Sequence, residues 1–437
     1  MKNKFGGKFW LTLVIFSLVG QIAWVVENMY FNVFIYKMFN ASAEAISFMV
    51  AASAVAATLT TIFIGALSDK IGKRKLFICG GYIVWGISIM SFALIRTDII
   101  GSFIPTTLSA SSVGVSLVII MDCVMTFFGS SANDAAFNAW ITDVTDETNR
   151  GAAEGINSMM PLMAILVVFG GFMSLNLDKA SSWTAIFIII GAVVILIGVT
   201  GVFLIKDTCQ KRSENNKYFS NIFYGFMPSV IKQNAILYIT LISFAVFGIS
   251  IQIFMPYLIL YYNVSLKMEN YVLIMAPAII IAAIVTAIYG RLYDKKGFTC
   301  SVIPSLIMLS VGYIILFSFK NTALVFIGSL FMMSGYLTGM AVFGAMIRDY
   351  TPIGKAGMFQ GLRIVGQVLI PGIIGPFIGS LVLKNADTVL NDDGTTSFVP
   401  NENIFVAALA AIAVLVVVLS IEFIILNRLN KKGISNE

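Results

Sequence analysis

The sequence predicts an all-α membrane protein with twelve transmembrane helices in two pseudo-symmetric six-helix bundles. Three observations predict it. The 437 residues are 58% hydrophobic and only 11% charged, with a mean hydropathy of +0.92, whereas a soluble domain is about 25% charged. The apolar residues gather in runs long enough to cross a bilayer. Two charged turns recur at matching places in the two halves of the chain.

A crossing helix needs about 20 apolar residues. Runs of that kind fall at roughly 9–36, 45–68, 76–95, 113–141, 153–176, 183–205, 234–262, 269–290, 300–319, 322–346, 357–383 and 403–427. The opening "MKNKFGGKFWLTLVIF" starts basic, turns apolar and lacks a small-residue cleavage site, so it reads as a retained first helix. An even number of crossings puts both termini on one side. With the N-terminus in the cytoplasm, the inside segments hold 21 lysines and arginines. The outside loops hold six: Lys37, Arg96, Lys179, Lys267, Lys320 and Lys384. That asymmetry orients a multi-pass protein in the cell membrane with both termini cytoplasmic. It also accounts for the net charge of +6 without nucleic acid. The longest cytoplasmic linker, 206–232, separates an N-terminal bundle (1–205) from a C-terminal bundle with a short tail (233–437).

The turn "GALSDKIGKRKLF", 65–77, joins spans two and three, and "GRLYDKKGF", 290–298, joins spans eight and nine. Both read G-x-x-x-D-K-x-G. A second pair joins the fourth and fifth spans of each half: "ITDVTDETNRGAAEG" (141–155) and "IRDYTPIGKAGMFQG" (347–361). Asp143 and Asp349 are followed by Arg150 and Lys355, and then by Gly155 and Gly361. Matching loops at matching places imply two related bundles, which transporters use around a midplane site. Gly65 is expected to let its helix approach a neighbour closely. Asp69 is placed to meet the positive end of a helix starting near 356, or a facing arginine. Gly72 allows a sharp reversal, and Lys73, Arg74 and Lys75 hold the loop in the cytoplasm. Gly65, Asp69, Gly72, Arg74, Asp143, Arg150, Asp294 and Asp349 are therefore the candidate gating residues. The other reading of this turn is a topology anchor alone.

The residues at 65–75 resemble the loop 2–3 signature of the major facilitator superfamily, and with the span count and the repeat the resemblance covers nearly the whole chain. A finer likeness is to the glycoside–pentoside–hexuronide:cation symporters, a melibiose carrier-like family. It rests on "NDAAFNAWITDVTDETNR" (133–150) and "RDYTPIGKAGMFQG" (348–361). The resemblance implies the major facilitator fold and a sugar-like solute moved with a cation by alternating access. It implies Asp134 as an acceptor for sugar hydroxyls, Gln367 as a polar contact, and a carboxylate on the first helix.

Ionisable groups inside spans are costly, about 2.5–3.5 kcal/mol or more each, so each asks for a reason. Glu27, Asp122, Asp134, Arg363 and Glu422 qualify. Gln21, Trp24, Asn28 and Asn32 form a helical polar stripe beside Glu27. Asp134 has Ser130, Ser131, Asn133 and Asn138 around it. Asp122, twelve residues earlier, sits roughly 18 Å away along a straight helix and about 120° round it. Asp122 is then the candidate for a proton or an interhelical partner. Arg363, flanked by Gln360 and Gln367, is expected to neutralise an acid or hold the cytoplasmic gate. Glu422 is expected to snorkel or pair with Arg428 near the inner surface. The candidate contacts for a solute are Glu27, Trp24, Asp134, Asn138, Arg363 and Gln367. The candidate coupling groups are Glu27, Asp122 and Asp134.

The chain has no histidine, and span two has no acid before Asp69, so a carboxylate that takes up a proton is the simplest coupling device. Co-transport of H+ or Na+ stays open. Four scattered cysteines suggest neither a disulfide framework nor a metal knuckle. No cofactor is expected, and no nucleophile–base pair supports an enzyme. The expected partners are a small-molecule solute and the lipid bilayer, without nucleic acid, around a monomer. Two alternatives remain: a drug or lipid exporter of the same fold, and a non-transporting membrane sensor.

Overall fold

The computed structural model describes residues 6–103, 109–145, 150–206, 224–268, 270–352, 356–391 and 395–431. The chain divides into two compact units, Met1–Tyr218 with Leu390–Ser397, and Phe219–Val389 with Phe398–Glu437.

The first unit contains α1 (Gly7–Phe39), α2 (Ala43–Ile71), α3 (Arg74–Leu94), α4 (Ala110–Val144), α5 (Arg150–Phe172) and α6 (Ala180–Leu204). The helices bury aromatic side chains against one another and turn aliphatic ones outward. On α6, Trp183, Phe187, Ile190 and Val194 are buried, while Ile189, Leu196 and Phe203 are 57%, 60% and 75% exposed. The exposed three recur every seven residues and so form one stripe. In water such a stripe would drive aggregation; in hydrocarbon it is the solvent-matched face. The buried face meets α3, where Gly86 and Gly191 let the backbones touch: a Cβ on Gly86 would lie 2.6 Å from the Gly191 carbonyl oxygen. Small residues at such crossings replace hydrophobic driving force with van der Waals contact.

The second unit contains α7 (Ala235–Ser265), α8 (Val272–Ser318), α9 (Thr322–Tyr350), α10 (Gly361–Leu383) and α11 (Asn403–Lys431). A short hairpin, β1 (Thr388–Leu390) and β2 (Thr396–Phe398), joins α10 to α11. Phe254, Tyr261, Tyr313 and Phe405 form the aromatic core of this unit, with ring centroids 5.2–6.2 Å apart.

Among the described residues ten helices are long and apolar enough to cross a membrane. Helix α8 accounts for two of the predicted spans. Its 47 residues pass through Gly297, whose φ of 74° and ψ of −174° break the helical path. The loop expected between spans eight and nine is thus reduced to essentially one residue. Helix α5 supplies a further leg, of which Met159–Phe172 is apolar. Twelve legs are consistent with this arrangement.

Gly72 is the equivalent of Gly297. It caps α2 with φ 69°, and its N–H bonds to the Ser68 carbonyl at 2.9 Å. These two are the only glycines with positive φ among the described residues. Each lies seven residues beyond the first glycine of its motif, Gly65 or Gly290. The repeat read from sequence thus places a positive-φ glycine at each turn, although the two differ in ψ, 17° at Gly72 and −174° at Gly297.

At the other ends of the helices, three of the six basic loop residues are paired. Lys37 meets Asp178 at 2.7 Å, Lys320 meets Glu402 at 3.5 Å, and Arg96 grips Asp98 with two nitrogens. The Arg96 guanidinium holds the exposed Asp98 carboxyl below its usual range.

Candidate functional site

Glu27 lies in the middle of α1, in a five-residue π-helical segment, Val26–Tyr30. It is 6% exposed. Its Oε1 accepts hydrogen bonds from Ser53 Oγ of α2 at 2.6 Å and from Thr126 Oγ1 of α4 at 2.8 Å. The two hydroxyls are themselves 2.8 Å apart. One carboxylate oxygen thus ties three helices together, while Oε2 is buried without a hydrogen-bond partner. Asp122, one turn before Thr126, is 2% exposed, lies beside Ser53 and Glu27, and leaves its Oδ1 without a partner.

Asp134 lies in a second π-helical segment, Ser130–Phe137 of α4. Ser130 Oγ donates to its Oδ2 at 3.0 Å. Glu27 is in electrostatic contact with Asp134 as well as with Asp122. A straight α-helix would set the two aspartates about 120° apart. A π turn uses more residues per turn, so the π-helical segment Ser130–Phe137 changes that angle. Among the described residues no basic side chain forms an ion pair with any of the three acids.

Trp24 packs its ring on Trp85 with centroids 5.1 Å apart. Its indole N–H has no hydrogen bond and lies within electrostatic reach of Asp134. The rest of the stripe divides. Asn28 is exposed and bonds back to the Trp24 carbonyl at 2.8 Å; Asn32 is fully buried and bonds to the Asn28 carbonyl at 2.8 Å. Asn138 is exposed and bonds to the Asp134 carbonyl at 3.2 Å. Asn133 does not face Asp134. It donates to Tyr82 Oη at 2.6 Å, and Tyr82 donates to the Phe16 carbonyl at 2.9 Å, a knot that fixes α4 against α3 and α1.

Arg363 and Gln367 belong to the second unit. Both lie on α10, where Arg363 Nε donates to Gln367 Oε1 at 3.3 Å. Gln367 sits in a further π-helical segment, Val365–Leu369, and a fourth, Tyr261–Ser265, ends α7. The Gln360 side chain lies outside the described residues.

The gating residues sort differently from expectation. Arg74 is not a solvated loop anchor. It is 6% exposed, bonded by Nε to Asp143 Oδ2 at 3.0 Å and by a terminal nitrogen to Ser68 Oγ at 2.5 Å. The Asp143 carboxylate, at the end of α4, draws the guanidinium inward. Gly65 is not a tight contact either: a Cβ there meets only Ala135 Cβ, at 3.8 Å. In the second unit Asp349 is exposed and accepts from Tyr293 Oη at 2.6 Å, and Asp294 is exposed. Tyr293 stands where Ser68 stands in the first motif, and Thr299 where Arg74 stands. The aspartate of each fourth-to-fifth connection is thus bound to its neighbouring turn, by a guanidinium in one unit and a phenol in the other. The side chains of Asp69 and Arg150, and all of Lys355, lie outside the described residues.

Glu422 corrects a further expectation. Rather than snorkelling, it is fully buried on α11, and its two oxygens accept from Thr240 Oγ1 at 2.5 Å and Ser243 Oγ at 2.6 Å, both on α7. The Arg428 side chain lies outside the described residues.

Carboxylates inside membrane-crossing helices, held by hydroxyls rather than by bases, together with a repeated helical architecture, define a membrane transporter. The chain belongs to the Major Facilitator Superfamily, whose family model matches residues 9–376. No curated protein matches it by sequence. Solved structures with the same fold include a mutant of the nucleoside transporter NupG, with TM-score 0.68 and 13% identity over 94% of this chain and 99% of that one. A bacterial homolog of the human lysosomal transporter Spinster gives TM-score 0.68 and 15% identity over 96% and 97%. The xylose transporter XylE from E. coli gives 0.67 and 12% over 93% and 97%.

Proposed function

We propose that the protein is a secondary active transporter moving a small polar solute, a sugar or glycoside, coupled to H+ or another cation by alternating access. The observation that carries this reading is Glu27, buried in α1 with one oxygen bonded by Ser53 and Thr126 and within electrostatic reach of Asp122 and Asp134. A cluster of three acids without an ion-paired base cannot stay fully ionised at low cost in a membrane interior. Taking up a proton or a cation relieves that cost, and releasing it restores it. Such a group is a coupling device. Glu27, Asp122 and Asp134 are assigned this role. Glu27, Asp134 and Asn138, with Trp24 as a stacking surface, are assigned to the solute as well, together with Arg363 and Gln367. Gly65, Asp69, Gly72, Arg74, Asp143, Arg150, Asp294 and Asp349 are assigned to gating.

The melibiose carrier-like motifs at 133–150 and 348–361 favour a sugar. The xylose and nucleoside named for two fold neighbours are hydroxyl-rich solutes of the same kind. The reading includes two bundles at 1–205 and 233–437, a monomer in the cell membrane, both termini cytoplasmic, and no cofactor. The test is uptake of radiolabelled sugars and glycosides into proteoliposomes under imposed H+ or Na+ gradients. Gradient-driven accumulation lost in Glu27→Gln with Asp134→Asn supports the reading. Accumulation that survives both substitutions removes the site, and activity only toward apolar cations or lipids replaces the sugar with the exporter alternative.

A further inference from the structure

Three oxygens of the first unit stand at mutual hydrogen-bond distance. Glu27 Oε1 of α1 lies 2.6 Å from Ser53 Oγ of α2 and 2.8 Å from Thr126 Oγ1 of α4, and the two hydroxyl oxygens lie 2.8 Å from each other. All three separations fall in the range of O–H···O bonds, about 2.5–3.0 Å. A separation between oxygens does not say which one carries the hydrogen, but the hydrogens can be counted. A triangle has three edges, and each hydroxyl brings one proton. An ionised Glu27 brings none. Two protons then serve three edges, and one pair of oxygens is left in contact with no hydrogen between them. A proton on Oε1 supplies the third. Glu27 Oε1 then donates to one hydroxyl, that hydroxyl donates to the other, and the other donates back to Oε1. Each oxygen gives one hydrogen bond and accepts one.

The other carboxyl oxygen leads to the same placement. Oε2 is buried without a hydrogen-bond partner, on a residue 6% exposed. On an ionised carboxylate Oε2 would hold half the charge, and an unpaired charge away from water is costly. With the proton on Oε1, Oε2 is the carbonyl oxygen of a neutral acid, which costs far less to leave unpaired. A proton on Oε2 itself would strand a buried donor and give the triangle nothing. The ring also fits a proton better than a metal ion. Na+ is close in size to Ca2+, which holds oxygens at about 2.3–2.6 Å, so that six ligands stand roughly 3.4 Å apart around an octahedron. All three separations here are shorter than that.

We propose that Glu27 Oε1 is the proton site of this protein, closed into a three-membered ring by Ser53 and Thr126, and that the coupled ion is H+ and not Na+. This assignment rests on the coupling role given to Glu27 above; it adds which ion, which oxygen and which two positioning residues. Loading forms one O–H bond at Oε1 and closes the ring. Release breaks that O–H bond, gives up H+, and leaves both hydroxyls donating to Oε1 with no hydrogen between Ser53 and Thr126. The contact between α2 and α4 at these two residues is therefore a hydrogen bond only while the proton is held. The other titratable groups facing Glu27 are Asp122, Asp134 and the Cys123 thiol, all on α4, so the readout has to tell a glutamate from an aspartate.

The test is an infrared pH titration of the purified full chain in lipid, with no solute. A protonated carboxyl has a C=O stretch that a carboxylate lacks. Glutamate labelled with 13C at the side-chain carboxyl separates Glu27 from the aspartates, and Glu422→Gln removes the other buried glutamate among the described residues. Glu27→Gln then identifies the band, and the labelled Glu422→Gln chain reads it even where Glu27→Gln does not fold. The band is expected at the high-frequency end, where a C=O without a hydrogen bond absorbs, and its midpoint is expected to stay in place when NaCl replaces choline chloride. A band at the hydrogen-bonded end would put the proton on Oε2. Loss of the band in Na+ would make this a sodium site, and no band at any pH would leave Glu27 ionised throughout. Each of these three outcomes overturns the proposal.

The ring itself is read from the same midpoint. Hydrogen bonds to ions are roughly twice as strong as neutral ones. Ser53→Ala or Thr126→Val removes two neutral bonds from the closed ring but one ionic bond from the open form, so either alone is expected to change the proton affinity of Glu27 by less than about twofold. Both together remove three and two, and the affinity is expected to rise roughly fivefold, the worth of one neutral bond. Thr126→Ser keeps the hydroxyl and is expected to match the parent; a shift of roughly fivefold there would trace the effect to packing and overturn the ring. Independent donors would give a rise of roughly fivefold for each single change and the product of the two for both, which also overturns it. No reading here uses a sugar. A chain that passes these tests and accumulates no sugar keeps its proton site, and one that fails them while accumulating a sugar keeps the solute reading alone.

Discussion

Ser53 Oγ stands 2.6 Å from Glu27 Oε1, and the same carboxylate oxygen is held by Thr126. These hydroxyls support a carboxylate and a neutral amide oxygen alike, because both are acceptors. Glu27→Gln is therefore expected to keep the three-helix junction, with thermal stability in detergent changed by less than about 1 kcal/mol. It is expected to abolish uphill accumulation while leaving solute exchange, which needs no net proton movement. Equal loss of exchange and accumulation would assign Glu27 to solute binding instead of coupling.

The hydroxyls themselves are the second test. Ser53→Ala with Thr126→Val removes both donors to a buried carboxylate. Hydrogen bonds to charged groups contribute about 1.5–3 kcal/mol each, so the pair of changes favours the protonated acid. Accumulation driven by a proton gradient is expected to shift its pH dependence toward higher pH, with the sign set by loss of donors that stabilise the ionised form. A pH profile identical to that of the parent would place the proton elsewhere.

Arg74 and Asp143 offer a double-mutant cycle. Each is nearly buried, with side chains 7% and 11% exposed. Removing one partner strands a charge, at a cost of about 3 kcal/mol. Arg74→Ala and Asp143→Ala are expected to lower the melting temperature singly, and the double variant to be less destabilised than the sum, with a coupling of roughly 2 kcal/mol. Additive losses would mean that the pair contributes no mutual stabilisation.

The two repeat turns predict a contrast among glycines. Alanine at Gly72 must adopt the left-handed region, at a cost of about 1–2 kcal/mol, whereas Gly297, with φ 74° and ψ −174°, lies in a region essentially confined to glycine, so Gly297→Ala is expected to lose more stability than Gly72→Ala. Gly65→Ala adds a methyl with one ordinary neighbour and is expected to be neutral within about 0.5 kcal/mol. A destabilising Gly65→Ala would restore the close approach that the sequence suggests.

Glu422 is the control for Glu27. It is similarly buried, but each of its two oxygens is bonded by a hydroxyl. Glu422→Gln is expected to leave gradient-driven accumulation within about twofold of the parent, since packing and one acceptor survive. A loss matching that of Glu27→Gln would make the second unit a coupling site as well.

Much of this molecule is legible in its sequence because the bilayer enforces simple rules. Span length, the lysine–arginine bias and the paired turns derive from solvation, and Gly72 and Gly297 fit because glycine takes a positive φ most freely. The acids Glu27, Asp122 and Asp134 are legible as exceptions to an apolar background. Their relationship is not, since it depends on π-helical segments that carry no sequence mark, and a 3.6-residue period misplaces every residue beyond such a segment. Arg74 escapes sequence reasoning because a lysine–arginine cluster looks uniformly solvated, while Asp143, sixty-nine residues away, selects one member for burial. Glu422 escapes it for the same reason: its partners, Thr240 and Ser243, are distant and individually ordinary.

Glu27, Asp134 and Gln367 share one further property: each sits where its helix is wound to a wider gauge. An extra residue held in a loosened turn is slack within an otherwise taut rod. Handing that surplus to the adjacent turn would swing the side chain while each backbone amide keeps a carbonyl to bond. A chain built this way has a means of re-aiming these three side chains without tilting a whole helix.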